Sequence, residues 1–259
     1  MYALSLLEEK TLSLVILESH GNLGIVRLNN GSTNAVNLDM IQDLSGALDR
    51  VKMDFKGMVL TGGEKFFSIG FDLPELLKLD RKKMGEFFYK FNQVVFELLT
   101  LPVPTCAAVT AHAIAGGAIL MLACDFRIAA SGRVLIGLNE VKLGVPAPYL
   151  PDLVLRQIAG DQVASDMLYT GAFLDSTEAG RRGVIHNVLP KSEVETKALE
   201  RVSEIASLPM KAFSAVKANR VESICKRYND NFRARNEQFL DCWFNDNTQE
   251  LLREAATKF

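Results

Sequence analysis

Two short apolar runs open the chain, at residues 13–18 and 24–28, and the turn-forming His20-Gly21-Asn22 separates them, so the pattern predicts two joined strands. The period then changes. Leu38, Ile41, Leu44, Leu48 and Val51 recur at helical spacing behind Asn37, whose side chain suits a helix N-terminus. Residues 58–61 read as a strand. Residues 81–99 read as a helix, with Met84, Phe87, Phe88, Phe91, Val94, Val95 and Leu98 on one broad face that is expected to be core. A buried strand is predicted at 105–110, a short glycine-initiated helix ending near Ala123, and strands at 126–129 and 134–136. Strands alternating with helices in short units imply a right-handed α/β succession.

After Pro151 the strand pattern almost disappears. Helical stretches are predicted at about 151–169, 176–182, 191–207 and 210–241, with a last one from Thr248, and only 184–189 reads as extended. The expected organisation is therefore an α/β core over 1–190 that carries the active site, followed by a helical region over 191–259. No Pro/Gly/Ser-rich linker or internal repeat divides the two.

Composition narrows the possible functions. With 259 residues, 48% hydrophobic and 23% charged, the chain can bury a large core, and disorder or a disulfide-stapled scaffold is disfavoured. A net charge of −2 supplies no field for gathering nucleic acid, so no nucleic-acid partner is expected. Cys106, Cys124, Cys225 and Cys242 are widely spaced, without a CxxC pair, and predict reduced core thiols and no metal site. The uncharged stretch 98–124 is long enough to span a bilayer, but Pro102, Pro104 and Gly116-Gly117 break it, so no membrane partner is expected. Residues 1–10 lack the features of a secretory or transit segment, which predicts a cytoplasmic location. The tripeptide Thr257-Lys258-Phe259 departs from the Ser-Lys-Leu peroxisomal address, and a peroxisomal location is the alternative.

Candidate chemistry is confined to three segments, because P-loop, GxGxxG and GxSxG patterns are all absent and His20, His112 and His186 form no evident triad. In residues 66–73 a strand reaches Gly70, and Asp72 stands where it can cap the next turn. In residues 113–118 a buried strand feeds a helix through Gly116-Gly117. Free amides at such a helix start can hold an oxygen that becomes negative, although, taken alone, the glycines are better explained by tight helix–strand packing. In residues 136–144 the lone carboxylate Glu140 lies among apolar residues, where burial would raise its pKa toward that of a useful base. A pair with Lys142 or a capping role is the plain alternative. His112, in an apolar strand-to-helix segment, reads as a packing histidine.

Taken together these segments resemble the crotonase superfamily of enoyl-CoA hydratases and isomerases, over essentially the whole chain. The resemblance is carried by Asn34-Ala-Val-Asn37, by Phe67-Ser-Ile-Gly-Phe-Asp-Leu73, by Gly116-Gly117 followed by Cys124-Asp125, and by Leu138-Asn-Glu-Val-Lys-Leu-Gly144. It implies a spiral of ββα units with a helical C-terminal trimerisation region, a homotrimer or hexamer, an acyl-CoA thioester substrate, and neither a metal nor a separate cofactor. It further implies that the Ile69 and Gly116 amides form an oxyanion hole. Ala35, Phe67, Ser68, Gly70, Phe71, Asp72, Leu73, Gly117 and Asn139 would contact CoA or the thioester.

One departure from the hydratase pattern sets the expected reaction. Ile119 stands where hydratases of the family place one of two glutamates, while Glu140 matches the other. A single base suits double-bond migration better than water addition. The Asn139-Glu140 pair and the Gly144-Val-Pro-Ala-Pro148 turn resemble the monofunctional Δ3,Δ2-enoyl-CoA isomerases, enzymes of fatty acid β-oxidation. The alternatives are a hydratase or another crotonase-type lyase or hydrolase, and a non-catalytic acyl-CoA-binding or scaffold protein. The acyl pocket is expected from segments such as 73–99.

Overall fold

The computed structural model describes residues 13–257, so the readings made on residues 1–10 and on Lys258 and Phe259 lie outside the described residues. Strands β1 (Val15–His20) and β2 (Leu23–Leu28) form an antiparallel hairpin through Gly21, whose φ of 62° a glycine adopts without steric cost. Helix α1 (Leu38–Asp54) starts where the sequence placed it: the Asn37 side chain accepts the Met40 amide at 3.0 Å.

From there the chain repeats a unit of strand, strand and helix. The first repeat holds β3 (Met58–Thr61), β4 (Phe66–Ser68), the short α2 (Leu73–Leu76) and α3 (Arg81–Thr100). The next holds β5 (Thr105–Val109), β6 (His112–Ile114) and α4 (Gly116–Ala123). The third holds β7 (Phe126–Ala130), β8 (Leu135–Gly137), a 3₁₀ turn at Glu140–Leu143 and α5 (Tyr149–Thr170), which breaks at Gly160. Then come β9 (Leu174–Asp175), α6 (Ser176–Arg181) and β10 (Asn187–Leu189). Helices α7 (Val194–Ala206), α8 (Met210–Trp243) and α9 (Asp246–Ala256) complete the chain.

The first strand of each repeat enters a six-stranded sheet, ordered β1-β2-β3-β5-β7-β10, and the second enters a four-stranded sheet, ordered β4-β6-β8-β9. Within the repeats all pairings are parallel. Each helix returns the chain to start the next pair. Strands β3 and β5 are buried along their whole length, with α7 packed across β3, β5 and β7, and α8 lying against α3 and α5. The Phe face of α3 is core as expected, with Phe87, Phe88 and Phe91 all at most 2% exposed. Residues 98–124 are distributed over α3, β5, β6 and α4, and no helix among the described residues is long and apolar enough to cross a membrane.

The structure corrects two readings. Residues 105–110 do not run directly into a helix, because β6 intervenes and belongs to the other sheet; three residues are too few to show a period. The extended stretch 184–189 shrinks to β10, since the Val184 and Ile185 amides both donate to the Ala179 carbonyl, at 2.9 and 3.2 Å, and close α6 instead of joining a ladder. Cys106 and Cys124 are buried free thiols, whereas Cys225 and Cys242 are only partly buried.

Candidate active site

The C-terminal ends of β4, β6 and β8 lie side by side, and the residues that follow them converge on one cavity of about 480 Å³. Ile69, Phe71 and Leu73 line it after β4, Gly116 after β6, and Asn139 and Glu140 after β8. The three segments singled out in the sequence are thus brought together.

The loop after β4 is held by Asn34, which is 1% exposed with a φ of 47°. Its amide donates to the Phe66 and Phe67 carbonyls, and its own carbonyl accepts the Ser68 hydroxyl at 2.7 Å. Ser68 Oγ in turn accepts the Gly70 amide at 3.1 Å. Asp72 caps α2 as expected, accepting the Glu75 amide at 3.1 Å. Here the expected contacts separate. Ser68 is fully committed to this clamp, Phe67 is 0% exposed, and Gly117 is pressed against β4, where an added Cβ would meet the Ser68 carbonyl oxygen at 2.2 Å. These three, with Ala35, Gly70 and Asp72, do not line the cavity. For Gly117 the tight-packing reading holds.

The amide expected at Ile69 is also unsuited to its role. It donates to the Thr33 carbonyl at 3.0 Å and is therefore occupied. The amide that faces the cavity is the one two residues on. Val36 bridges to this loop by donating to the Gly70 carbonyl at 2.7 Å and accepting from the Asp72 amide at 3.0 Å, so the intervening Phe71 amide points the opposite way. On that side lies Gly116: a methyl added to Gly70 would come within 2.9 Å of the Gly116 nitrogen. Gly116 opens α4, so its amide has no intrahelical acceptor. Before it, Ala115 holds a φ of 46°, a strained value for a residue with a side chain. Phe71 is braced from behind by Phe87, Phe88 and Phe91, all edge-on to its ring.

Glu140 is 7% exposed, and burial pushes its carboxyl pKa up to about 7. Its Oε2 has no hydrogen-bond partner among the described residues, and neither has Oδ1 of the adjacent Asn139. The alternative pair with Lys142 does not form: that ammonium sits over the Phe173 ring at 5.9 Å. Ile119 lines the cavity where a second carboxylate would stand, leaving Glu140 as its one acidic residue among those described. The turn carrying Glu140 is fixed from both ends. The Glu140 carbonyl accepts the Val145 amide at 3.2 Å, and Thr248 of α9 donates to the Gly144 carbonyl at 3.2 Å.

The rest of the wall was not foreseen. Past Leu73, residues of α3 do not line the cavity; Phe239 and Trp243 of α8 and Leu252 and Ala255 of α9 do. The single Trp of the chain was the available signal. His112 also lines the cavity, and its Nδ1 accepts the Leu135 amide at 2.9 Å. Among the described residues, no group of three or more His, Cys, Asp or Glu side chains is placed to hold a metal ion. Chemically, the cavity joins two backbone donors to one buried base on an apolar floor.

The model of the family described as enoyl-CoA hydratase/isomerase matches residues 18–258. The chain is 25% identical to human mitochondrial enoyl-CoA delta isomerase 1 over 244 residues, 93% of this chain and 81% of that protein. It is 30% identical to the short-chain-enoyl-CoA hydratase of Clostridium acetobutylicum over 200 residues, 76% of each. The crystal structure of human mitochondrial delta3-delta2-enoyl-CoA isomerase superposes with a TM-score of 0.90 at 25% identity, covering 95% of this chain and 97% of that one.

Proposed function

Because this chain belongs to the enoyl-CoA hydratase/isomerase family, we propose that it moves the double bond of a 3-enoyl-CoA to the 2-position through a dienolate. Glu140, ionised, removes a proton from C2. The electron pair moves into the thioester carbonyl, whose oxygen becomes negative between the amides of Phe71 and Gly116. Collapse of the dienolate takes a proton from the newly formed Glu140 acid at C4, giving the conjugated 2-enoyl thioester. One proton leaves and one returns, so the step balances without an electron carrier.

The observation that carries this reading is the solitary buried carboxylate. A base that must both take and return a proton works best with a pKa near the operating pH, and burial has raised that of Glu140 to about 7. Its unpartnered oxygen is available to substrate. Two aligned amide donors support the charge that develops, each worth about 10²- to 10³-fold in rate at comparable sites. Water activation by a pair of carboxylates lacks its second member at Ile119.

The test follows formation of the conjugated product by ultraviolet absorbance, with Glu140→Gln as the comparison. The substitution is expected to lower kcat about 10²- to 10⁴-fold in a folded protein. Activity that survives it would remove Glu140 from the mechanism. Hydratases stand among the relatives at 30% identity or more, so water addition is the second reading. Loss of absorbance from a 2-enoyl-CoA, at a rate matching isomerisation, would favour it.

A further inference from the structure

The four-stranded sheet has two faces of opposite character. On one, Phe67, Ala113 and Ile136 are all 0% exposed and belong to the core. On the other, Phe66, His112 and Leu135 stand in one cross-strand row, followed by Ile114 and, from beside β9, Phe173; these five residues wall the cavity. His112 is the one polar side chain among the five. It sits at the N-terminal end of β6, four residues before Gly116, so at about 3.3 Å per residue it is at most about 13 Å from the thioester end of the cavity.

We infer that His112 is a specificity-determining residue that receives a hydrogen-bond acceptor on the far part of the acyl chain, a carboxylate by preference. The acyl-CoA part of this inference rests on the function proposed above. The geometry fixes the donor. Because Nδ1 accepts the Leu135 amide at 2.9 Å, the neutral ring must carry its proton on Nε2, and no acceptor among the described residues takes that proton. Burial and the charges of Arg133 and Lys65 lower the His112 pKa and keep the ring neutral.

The surroundings argue for an anionic acceptor. Lys65 places its ammonium over the Phe66 ring at 5.6 Å, next to His112, whose own ring lies 5.5 Å from Phe66. Arg133 lies two residues before Leu135. Neither cation has an ion-pair partner among the described residues, while the nearby acids are engaged: Glu64 pairs with Lys191 at 2.8 Å, and Asp175, opposite Leu135, caps α6. An apolar wall that ends in one fixed donor, with two exposed and unpaired cations beside it but outside the lining, fits a chain that is greasy along its length and negative at its tip.

Calorimetric titration with saturated CoA thioesters, which cannot isomerise, tests this directly. Hexanoyl-, octanoyl- and decanoyl-CoA are compared with their omega-hydroxy and omega-carboxy counterparts of equal length. At the length that reaches His112, the hydroxyl is expected to tighten binding about threefold to tenfold over the methyl, and the carboxylate at least about tenfold. His112→Asn keeps an acceptor for the Leu135 amide but withdraws the Nε2 donor. It should abolish the hydroxyl preference, read as the ratio of hydroxyl-tail to methyl-tail affinity within the same variant, in a protein that remains folded. Lys65→Gln with Arg133→Gln should remove the extra carboxylate margin and its salt dependence. Equal affinity for methyl and polar tails at every length, or a preference that survives His112→Asn, would overturn the assignment. Failure of isomerase activity leaves this titration intact, whereas failure of every CoA ester to bind would sink both readings.

Discussion

Two carboxylates, Glu140 buried and Asp125 partly buried, are treated in opposite ways. Asp125, between α4 and β7, accepts on one oxygen from the Thr105 amide at 2.9 Å, the Thr105 hydroxyl at 3.0 Å and the Lys217 ammonium at 2.7 Å. That ammonium, on a residue only 5% exposed, also donates to the Val103 carbonyl, so α8 is pinned to the six-stranded sheet by groups that satisfy one another. Glu140 has neither cation nor donor on Oε2, and Asn139 beside it is likewise unpartnered. An unmade hydrogen bond on a buried polar group costs stability. The region that joins helices to the sheet avoids that cost, and the region that lines the cavity accepts it, which is what separates a strut from a reagent.

The widest separation between the two is expected from Asp125→Ala. It leaves the Lys217 ammonium buried without a counter-charge, and breaking such a pair costs about 3 kcal/mol or more. Denaturant unfolding should register that loss, while activity on the enoyl-CoA substrate per folded molecule stays near the natural value. Asp125→Leu combined with Lys217→Met, which removes both charges, should recover most of the stability. A single variant as stable as the natural protein would show that the pair is not the strut described.

Glu140 should behave in the reverse sense. Its folded pKa of about 7 lies above the usual glutamate value, so the folded state binds the proton more tightly than the unfolded chain does. Between those two pKa values stability therefore falls as pH rises, and the loss is complete once pH exceeds the folded value. Glu140→Gln removes the titrating group. It should be more stable than the natural protein above pH 7, by on the order of 3 kcal/mol at most, with the advantage shrinking toward pH 4. Catalysis runs the other way, with kcat/KM rising through about pH 7 as the base ionises. Parallel stability–pH curves for the two proteins would contradict the burial of Glu140 as a charge.

Much of this arrangement was readable beforehand, and the parts that were not share a cause. Helices α1 and α3 and strand β5 carry long or uniform apolar patterns, and Asn37 and Asp72 cap the helices they were expected to cap. The Glu140 segment stood out as a lone acid in apolar sequence. By contrast, β6 and β9 are three and two residues long, and no period exists over so short a span. The donor expected at Ile69 was misjudged because direction alternates residue by residue: that amide is spent on Thr33, and only the bridge to Val36 reveals that the Phe71 amide faces the other way. The role of Phe239, Trp243 and Leu252 depends on α8 and α9 returning across the cavity, a fact of tertiary packing. Family resemblance supplied the assembly of distant segments that local pattern could not.

The smallest expected effect concerns strain at the same cavity. Ala115 keeps a φ of 46° and a ψ of −118°, a conformation that glycine adopts freely and alanine does not, immediately before the amide of Gly116. Its methyl covers Gly70: a Cβ added there would lie 2.9 Å from it. Ala115→Gly should therefore relieve the backbone at the expense of a partly exposed methyl contact, for a net gain of about 1 kcal/mol in unfolding free energy. The same change frees the turn that aims Gly116. If the strain holds that amide toward the developing oxyanion, kcat should fall while KM for the CoA ester stays level, so that stability and turnover move in opposite directions, as they do at Glu140. A variant that loses stability would show that the Ala115 methyl packs more favourably than its backbone angle is costly, and would confine the contrast between strut and reagent to the two carboxylates.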